Sequence, residues 1–220
     1  MGIPGKEAKM KSGLLPSGRW SAATLLLAVF GLLLSAPPAG SQNKGLTIAT
    51  GRLLVASERI LDPRFQETVI LLVNYDREGA MGLILNRPTR ISIGEGLQIL
   101  PELAEGAYAG DPIYYGGPVA LNLPLALLKT PHPPDNSKPV NKDLVLTGPA
   151  EIASRFTGKE TGSESFRIFA GYSGWGAGQL EGEIGRGDWQ VRPFDPEAIF
   201  ARDSETLWEK MRAKEERIWI

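Results

Sequence analysis

The chain has 220 residues, with 24 basic and 25 acidic side chains, one histidine and no cysteine. The missing cysteine excludes thiol nucleophiles, disulfides, cysteine-ligated zinc and a lipidated-cysteine anchor. Setting aside Lys6, Lys9, Lys11, Arg19 and Glu7 leaves 20 basic against 24 acidic residues and no Lys/Arg block, which argues against a broad nucleic-acid face.

Residues 1–41 differ from the rest. A basic start leads into an uncharged apolar run from Trp20 to Ala36, then into the small-residue segment Ala36-Pro37-Pro38-Ala39-Gly40-Ser41. That order is the one of a secretory signal, with Ala39 and Ser41 fitting a cut before Gln42. The run is shorter than the roughly 20 residues that span a bilayer comfortably. An uncleaved anchor and a misplaced start codon stay open beside the cleaved signal. The expected division is residues 1–41 as leader and 42–220 as one α+β domain. Membrane contact is expected through the leader alone, and the expected location is the cell envelope.

From Leu46 to Ala56 the alternating Leu, Ile and Val residues predict a strand bent at Gly51. Asp62-Pro63 breaks the pattern, and Phe65 is expected to anchor the loop that follows. Thr68–Tyr75 is a continuous β-branched and apolar run, hence a buried strand. It turns through Asp76-Arg77-Glu78-Gly79 into a second strand, Ala80–Asn86, to make a hairpin. Ile91–Ala104 reads as a short amphipathic helix capped by Ser92 and ended early by Pro101. A strand at Ile113–Val119 runs into a glycine turn, with Leu123–Leu128 pairing nearby.

Lys129–Lys142 carries four prolines and predicts a surface loop. Asp143–Thr147 is a short strand and Pro149–Phe156 a helix with proline in its first turn. Ser165–Tyr172 is a strand opening into a glycine cluster, which is read as a tight turn around Trp175. Trp175–Ile184 is helix-like, with Leu180 and Ile184 one turn apart, and Gly185–Gly187 stops it. Trp189-Gln190-Val191 starts a last strand. Asp203 or Ser204 caps a final helix whose Leu207, Trp208 and Met211 share a face that covers the sheet.

Three signatures occur in order. They are Leu61-Asp62-Pro63-Arg64-Phe65 with Thr68-Val69 and Gly79–Pro88; Tyr115-Gly116-Gly117-Pro118-Val119; and Gly171-Tyr172-Ser173-Gly174-Trp175 with Gly178-Gln179-Leu180-Glu181, Glu183 and Trp189. Together they closely resemble the YqgE/AlgH family, over a stretch from about Leu46 to the C-terminal helix. The resemblance implies a bifurcated, mixed sheet forming a barrel-like core with peripheral helices. It also implies a regulator of transcription as one alternative function and a cytoplasmic location as the alternative to the envelope. It brings no cofactor and no catalytic residue. Two departures stand out: the leader, and Asn74-Tyr75-Asp76 at a position that in the family often holds Glu-His or a cysteine.

The expected working surface gathers Asn86, Arg87, Gly116, Gly117, Tyr172, Trp175, Gln179 and Glu181. A strand passing through glycines into a helix can offer backbone N–H groups to an anion, and Arg87 can hold a carboxylate or phosphate. Against this, the glycines let chains pack closely, an Asn at such a turn bonds local backbone, and carboxylates near a helix start are stabilising there. The segment is neither GxxxxGK[ST] nor GxGxxG with a downstream acid, and GxSxG is absent. His132 sits alone among prolines. The leading expectation is a non-enzymatic binding or regulatory protein with a protein or small-molecule ligand, no cofactor and no metal. The alternative is an enzyme using Glu181 or Glu183 with Arg87 in a cleft.

Overall fold

The computed structural model describes residues 46–156 and 165–216. The leader, its cut site and the Ile218-Trp219-Ile220 end lie outside the described residues. Among the described residues ten strands form one sheet; eight follow the path β10 (Trp189–Arg192), β1 (Leu53–Ala56), β2 (Val69–Asp76), β3 (Gly79–Ile84), β9 (Ser165–Gly176), β6 (Val119–Lys129), β8 (Leu144–Thr147), β7 (Lys138–Asn141), while β5 (Pro112–Tyr115) joins β9 and β4 (Pro88–Ser92) joins β5.

The two-faced strands explain the apolar runs. In β1 (Leu53–Ala56) and β2 (Val69–Asp76), Leu53, Val55, Val69 and Leu71 face one core while Leu54, Ile70 and Leu72 face another. A strand buried on both faces has no reason to alternate polar and apolar residues. Each fully buried Leu, Ile or Val side chain contributes about 1.5–3 kcal/mol. Asp76 bends the chain into β3 (Gly79–Ile84), its Oδ1 accepting from the Glu78 N–H at 2.9 Å. The hairpin is therefore as expected. The first strand is shorter than expected, because Thr50-Gly51 form a turn (Gly51 φ +83°) and Gly51 N donates to Leu72 O instead.

Four further readings are corrected. Pro88–Ser92 is strand β4, so Ile91 and Ser92, expected to open a helix, end a strand; Thr89 Oγ1 donates to Ile113 O at 2.7 Å beside β5 (Pro112–Tyr115). The helix expected over 91–104 is two pieces, α1 (Ile93–Gly96) and α2 (Pro101–Ala104), with Pro101 starting the second. Ser92 does cap α1, in a reciprocal box with Glu95. The strand at Leu123–Leu128 lengthens to β6 (Val119–Lys129). Within the proline-rich loop, Lys138–Asn141 is strand β7, paired with β8 (Leu144–Thr147) on one side only. Pro139 is tolerated because an edge strand needs no donor on its outer side. Lys138 Nζ reaches back to Asn74 Oδ1 on β2 at 2.8 Å, so the sheet curls. After β8, α3 (Pro149–Arg155) forms as expected.

The largest correction concerns the glycine cluster. It is not a turn but the second half of β9 (Ser165–Gly176), a twelve-residue strand. Along one edge β9 pairs with β6; along the other it pairs in parallel with β5 at Phe169 and Ala170, then antiparallel with β3 from Ser173 to Gly176. That change of partner splits the sheet and makes it mixed, which accounts for the bifurcated form. Helix α4 (Gln179–Arg186) starts later than expected and ends at Gly187, φ +81°. Strand β10 (Trp189–Arg192) returns beside β1. A short α5 (Pro196–Ile199), absent from the sequence reading, and α6 (Leu207–Glu216) follow.

Ala198, Ile199, Leu207 and Met211 fill the inner core with Leu71 and Phe169. Helices α1 to α3 cover a second core on the opposite face, and α4 with Trp175 and Trp189 covers the third. The architecture is a single α+β domain built on a curled, largely antiparallel half-barrel. Among the described residues no helix is long and apolar enough to cross a membrane.

Candidate functional site

Asn86 and Arg87 both bond the loop between β1 and β2. Asn86 is buried; its Oδ1 accepts from Val69 N at 2.9 Å and its Nδ2 donates to Glu67 O at 2.8 Å. Glu67 is held at φ +54°, a left-handed conformation that costs a non-glycine residue about 1–2 kcal/mol. Asn86 offsets part of that strain. Arg87 donates to the carbonyls of Arg64 at 2.5 Å, Gln66 at 2.8 Å and Pro63 at 3.4 Å. Partial burial holds its guanidinium below the usual arginine range. Arg87 thus grips backbone, not an acid. A shallow cleft of about 170 Å³ beside it is lined by Glu67, Glu205, Trp208 and Glu209 as well.

The gripped loop carries Phe65 into an aromatic group. Its ring lies 6.4 Å from Trp175, near parallel, and 5.9 Å edge-on from Trp189, and the two indoles are 6.0 Å apart. Both indole N–H groups donate to Glu183 Oε2 at 2.8 Å. Gln179 Nε2 donates to Glu183 Oε1 at 2.9 Å, while Gln179 Oε1 accepts from Gly176 N. One carboxylate therefore ties α4, β9 and β10 together. In the sequence Glu183 stands in the third signature and as one choice, with Glu181, for the enzyme alternative; two tryptophans at fixed distance from it were the signal for the tie.

Gly116 and Gly117 follow β5. Gly116 N donates to Ala170 O, and its carbonyl accepts from Ile84 N and from Ser173 Oγ. A Cβ on either glycine would overlap the backbone of Gly171 or Tyr172. Arg87 O accepts from Tyr115 N at 2.8 Å, so the three segments do meet around β9. They meet as packed backbone. Tyr172 is half-buried, Gln179 and Glu181 are exposed, and Trp175 is buried.

Glu181 accepts from the Tyr75 hydroxyl at 2.5 Å. That hydrogen bond lowers the Glu181 carboxyl from its ordinary value and raises the Tyr75 phenol. An exposed, easily ionised carboxylate is the opposite of a general acid. Glu183 and Arg87 are engaged elsewhere, so the expected cleft of Glu181 or Glu183 with Arg87 is not assembled. His132 contributes only backbone contacts, to Thr130 Oγ1 and Arg155. Among the described residues no group of three His, Cys, Asp or Glu side chains is placed to hold a metal.

One residue the sequence reading passed over is Arg167. It is 8% exposed, and its guanidinium lies 4.1 Å over the Tyr114 ring. It donates to Leu85 O at 3.1 Å and to Ala201 O at 2.8 Å. The signal was a single cation in the otherwise apolar run Phe166-Arg167-Ile168-Phe169.

The half-barrel with a split at β9, the glycine-lined junction and the Trp175–Glu183–Trp189 tie make this chain a small α+β scaffold. The profile of the AlgH-like family matches residues 53–216, and the chain belongs to that family. A UPF0301 protein of Streptomyces coelicolor is 36% identical over 173 residues, covering 74% of this chain and 84% of that protein. One of Coxiella burnetii is 32% identical over 167 residues, covering 76% and 88%. The solution structure of AlgH from Pseudomonas aeruginosa superposes with a TM-score of 0.60 at 27% identity, covering 86% of this chain and 94% of AlgH. A crystal structure of a Corynebacterium diphtheriae protein, at 24% identity and a TM-score of 0.65 over 77% and 88% of the two chains, shares the fold. These names state no activity or ligand.

Proposed function

We propose that this AlgH-like protein acts by non-enzymatic binding, with a protein as ligand. Its contact face is the exposed second half of β9 and the start of α4, presenting Tyr172, Gln179 and Glu181 beside the Gly116-Gly117 junction. Asn86, Arg87 and Trp175 hold that face from behind. The observation that carries the reading is the Glu183 tie. It fixes an exposed backbone segment, Gly174 and Gly176–Gln179, through the bonds that Glu183 accepts from Trp175, Trp189 and Gln179. A segment ordered in advance loses little entropy on binding.

Leu121 and Leu123, 54% and 46% exposed, flank the same junction, and Leu121 approaches Gly171. Neither the cleft at Arg87 nor the cavity at Arg167 is lined by Tyr172, Gln179 or Glu181, which favours a protein over a small ligand here. The apolar run of residues 20–36 supports a cell-envelope location, with the cytoplasm as the family-based alternative. Nucleic acid is left out of this reading because the chain offers no basic block.

The test is cross-linking in cells of the wild type and of a Leu121→Asp/Glu181→Arg variant, followed by affinity measurement on the purified pair. A partner held by the wild type and lost by the folded variant supports the face. Equal affinity refutes it. Turnover of a small molecule that Glu181→Gln or Glu183→Gln abolishes would refute binding without chemistry.

A further inference from the structure

The second cavity lies away from the proposed face, where β5 and β9 have not yet come together. Pairing between them begins at Tyr114 and Phe169, so Pro112 and Ile113 stand apart from Arg167 and Ile168. The space between is about 630 Å³, within the range of small-molecule sites. Tyr108, Tyr114, Phe156, Phe166 and Phe200 supply aromatic walls. Arg167 and Arg202 supply two cations, and Asp111 one carboxylate.

The Arg167 guanidinium is buried yet, among the described residues, it joins no ion pair. Two carbonyls and the face of Tyr114 satisfy part of its hydrogen bonding, and Asp111 attracts it from the cavity wall without forming an ion pair. Arginine cannot escape by losing its proton at any ordinary pH. A buried charge that no ion pair neutralises at contact distance is costly, and an anion that enters beside Arg167 and Arg202 relieves that cost. Arg167 also has a mechanical role, tying the Ala201 carbonyl to the end of β3. That role needs hydrogen-bond donors but no charge, so it does not account for a cation.

We infer that this cavity binds a small, planar aromatic carboxylate, its head group on Arg167 and Arg202 and its ring against the packed pair Tyr108 and Phe166. A guanidinium fork matches a carboxylate in geometry, and aromatic walls match a flat apolar body. This site is independent of the protein-binding face.

The probe is 2-naphthoate, titrated into the full chain and followed by calorimetry and backbone amide NMR. Saturable binding is expected, with shifts confined to residues 108–114, 165–168 and 200–202. The uncharged 2-naphthamide should bind about tenfold more weakly or worse, as loss of a charge-assisted contact requires. Arg167→Gln should abolish the preference for the acid. Because that variant also touches the Ala201 tie, two exposed positions carry the test independently. Arg202→Gln should weaken 2-naphthoate about threefold and Asp111→Asn should tighten it by a similar factor, as removal of one partly screened charge implies. Equal affinity for acid and amide, an absence of saturable binding, or indifference to both exposed substitutions would overturn the inference.

Discussion

Replacing Glu183 tests the scaffold most directly. In Glu183→Ala, the N–H groups of Trp175 and Trp189, residues 6% and 4% exposed, lose their shared acceptor, and Gln179 loses its partner as well. An unsatisfied buried donor costs about 1–3 kcal/mol, so two indoles place the loss at about 3–5 kcal/mol once Gln179 rebonds to water. Glu183→Gln keeps an acceptor oxygen for the indoles and should cost only about 1 kcal/mol. Urea unfolding followed in parallel by circular dichroism and tryptophan emission gives both values. A cycle with Trp189→Phe should then show a coupling of about 1–2 kcal/mol, as expected for residues sharing one hydrogen-bonded group. If Glu183→Ala lies within about 1 kcal/mol of wild type, the carboxylate is not the tie described, since that is no more than an average substitution costs.

Arg87→Ala should free the carbonyls of residues 63–66, costing about 2 kcal/mol and raising hydrogen exchange first at residues 62–68. Gly117→Ala places a Cβ against the Tyr172 backbone at φ +149° and should cost about 3 kcal/mol or more, whereas Gly178→Ala, at φ +74° in open space, should cost about 1 kcal/mol. Thermal melts of the two variants separate close approach from backbone conformation alone. The Asp62 carboxyl is lowered chiefly by its hydrogen bond with Arg64, so its contribution is complete above the unfolded value near 4 and disappears as pH falls through the lower folded value. Carboxyl NMR should place its midpoint below 3.8, and Arg64→Ala should bring it back.

What was legible in the sequence follows from where each signal originates. The β2–β3 hairpin, the Ser92 cap and the docking face of α6 are written in neighbouring residues, so periodicity and turn chemistry exposed them. Strands β4 and β7 were hidden because each contains proline, and only their edge positions make that harmless. The glycines of β9 deceived for a related reason. A local reading assigns them to a turn, but β3 at Gly79 and Gly82, and the Gly116-Gly117 junction, press against them from far along the chain. Backbone hydrogen bonds link Arg87 to Tyr115 and Gly116 to Ala170, yet the grip of Arg87 on carbonyls and the sharing of Glu183 by two indoles are long-range facts. Arg167 was invisible as a buried cation because its partners Leu85, Tyr114 and Ala201 lie far along the chain.

Strand β7 is the rim at which the curled sheet ends; it carries Pro139, and its Lys138 reaches back to Asn74 of β2. A missing amide and a charged side chain at that rim deny a second copy the ladder it would need to extend the ribbon. The fold thereby keeps an unclosed barrel safe from head-on stacking at high concentration, without having to complete the circle.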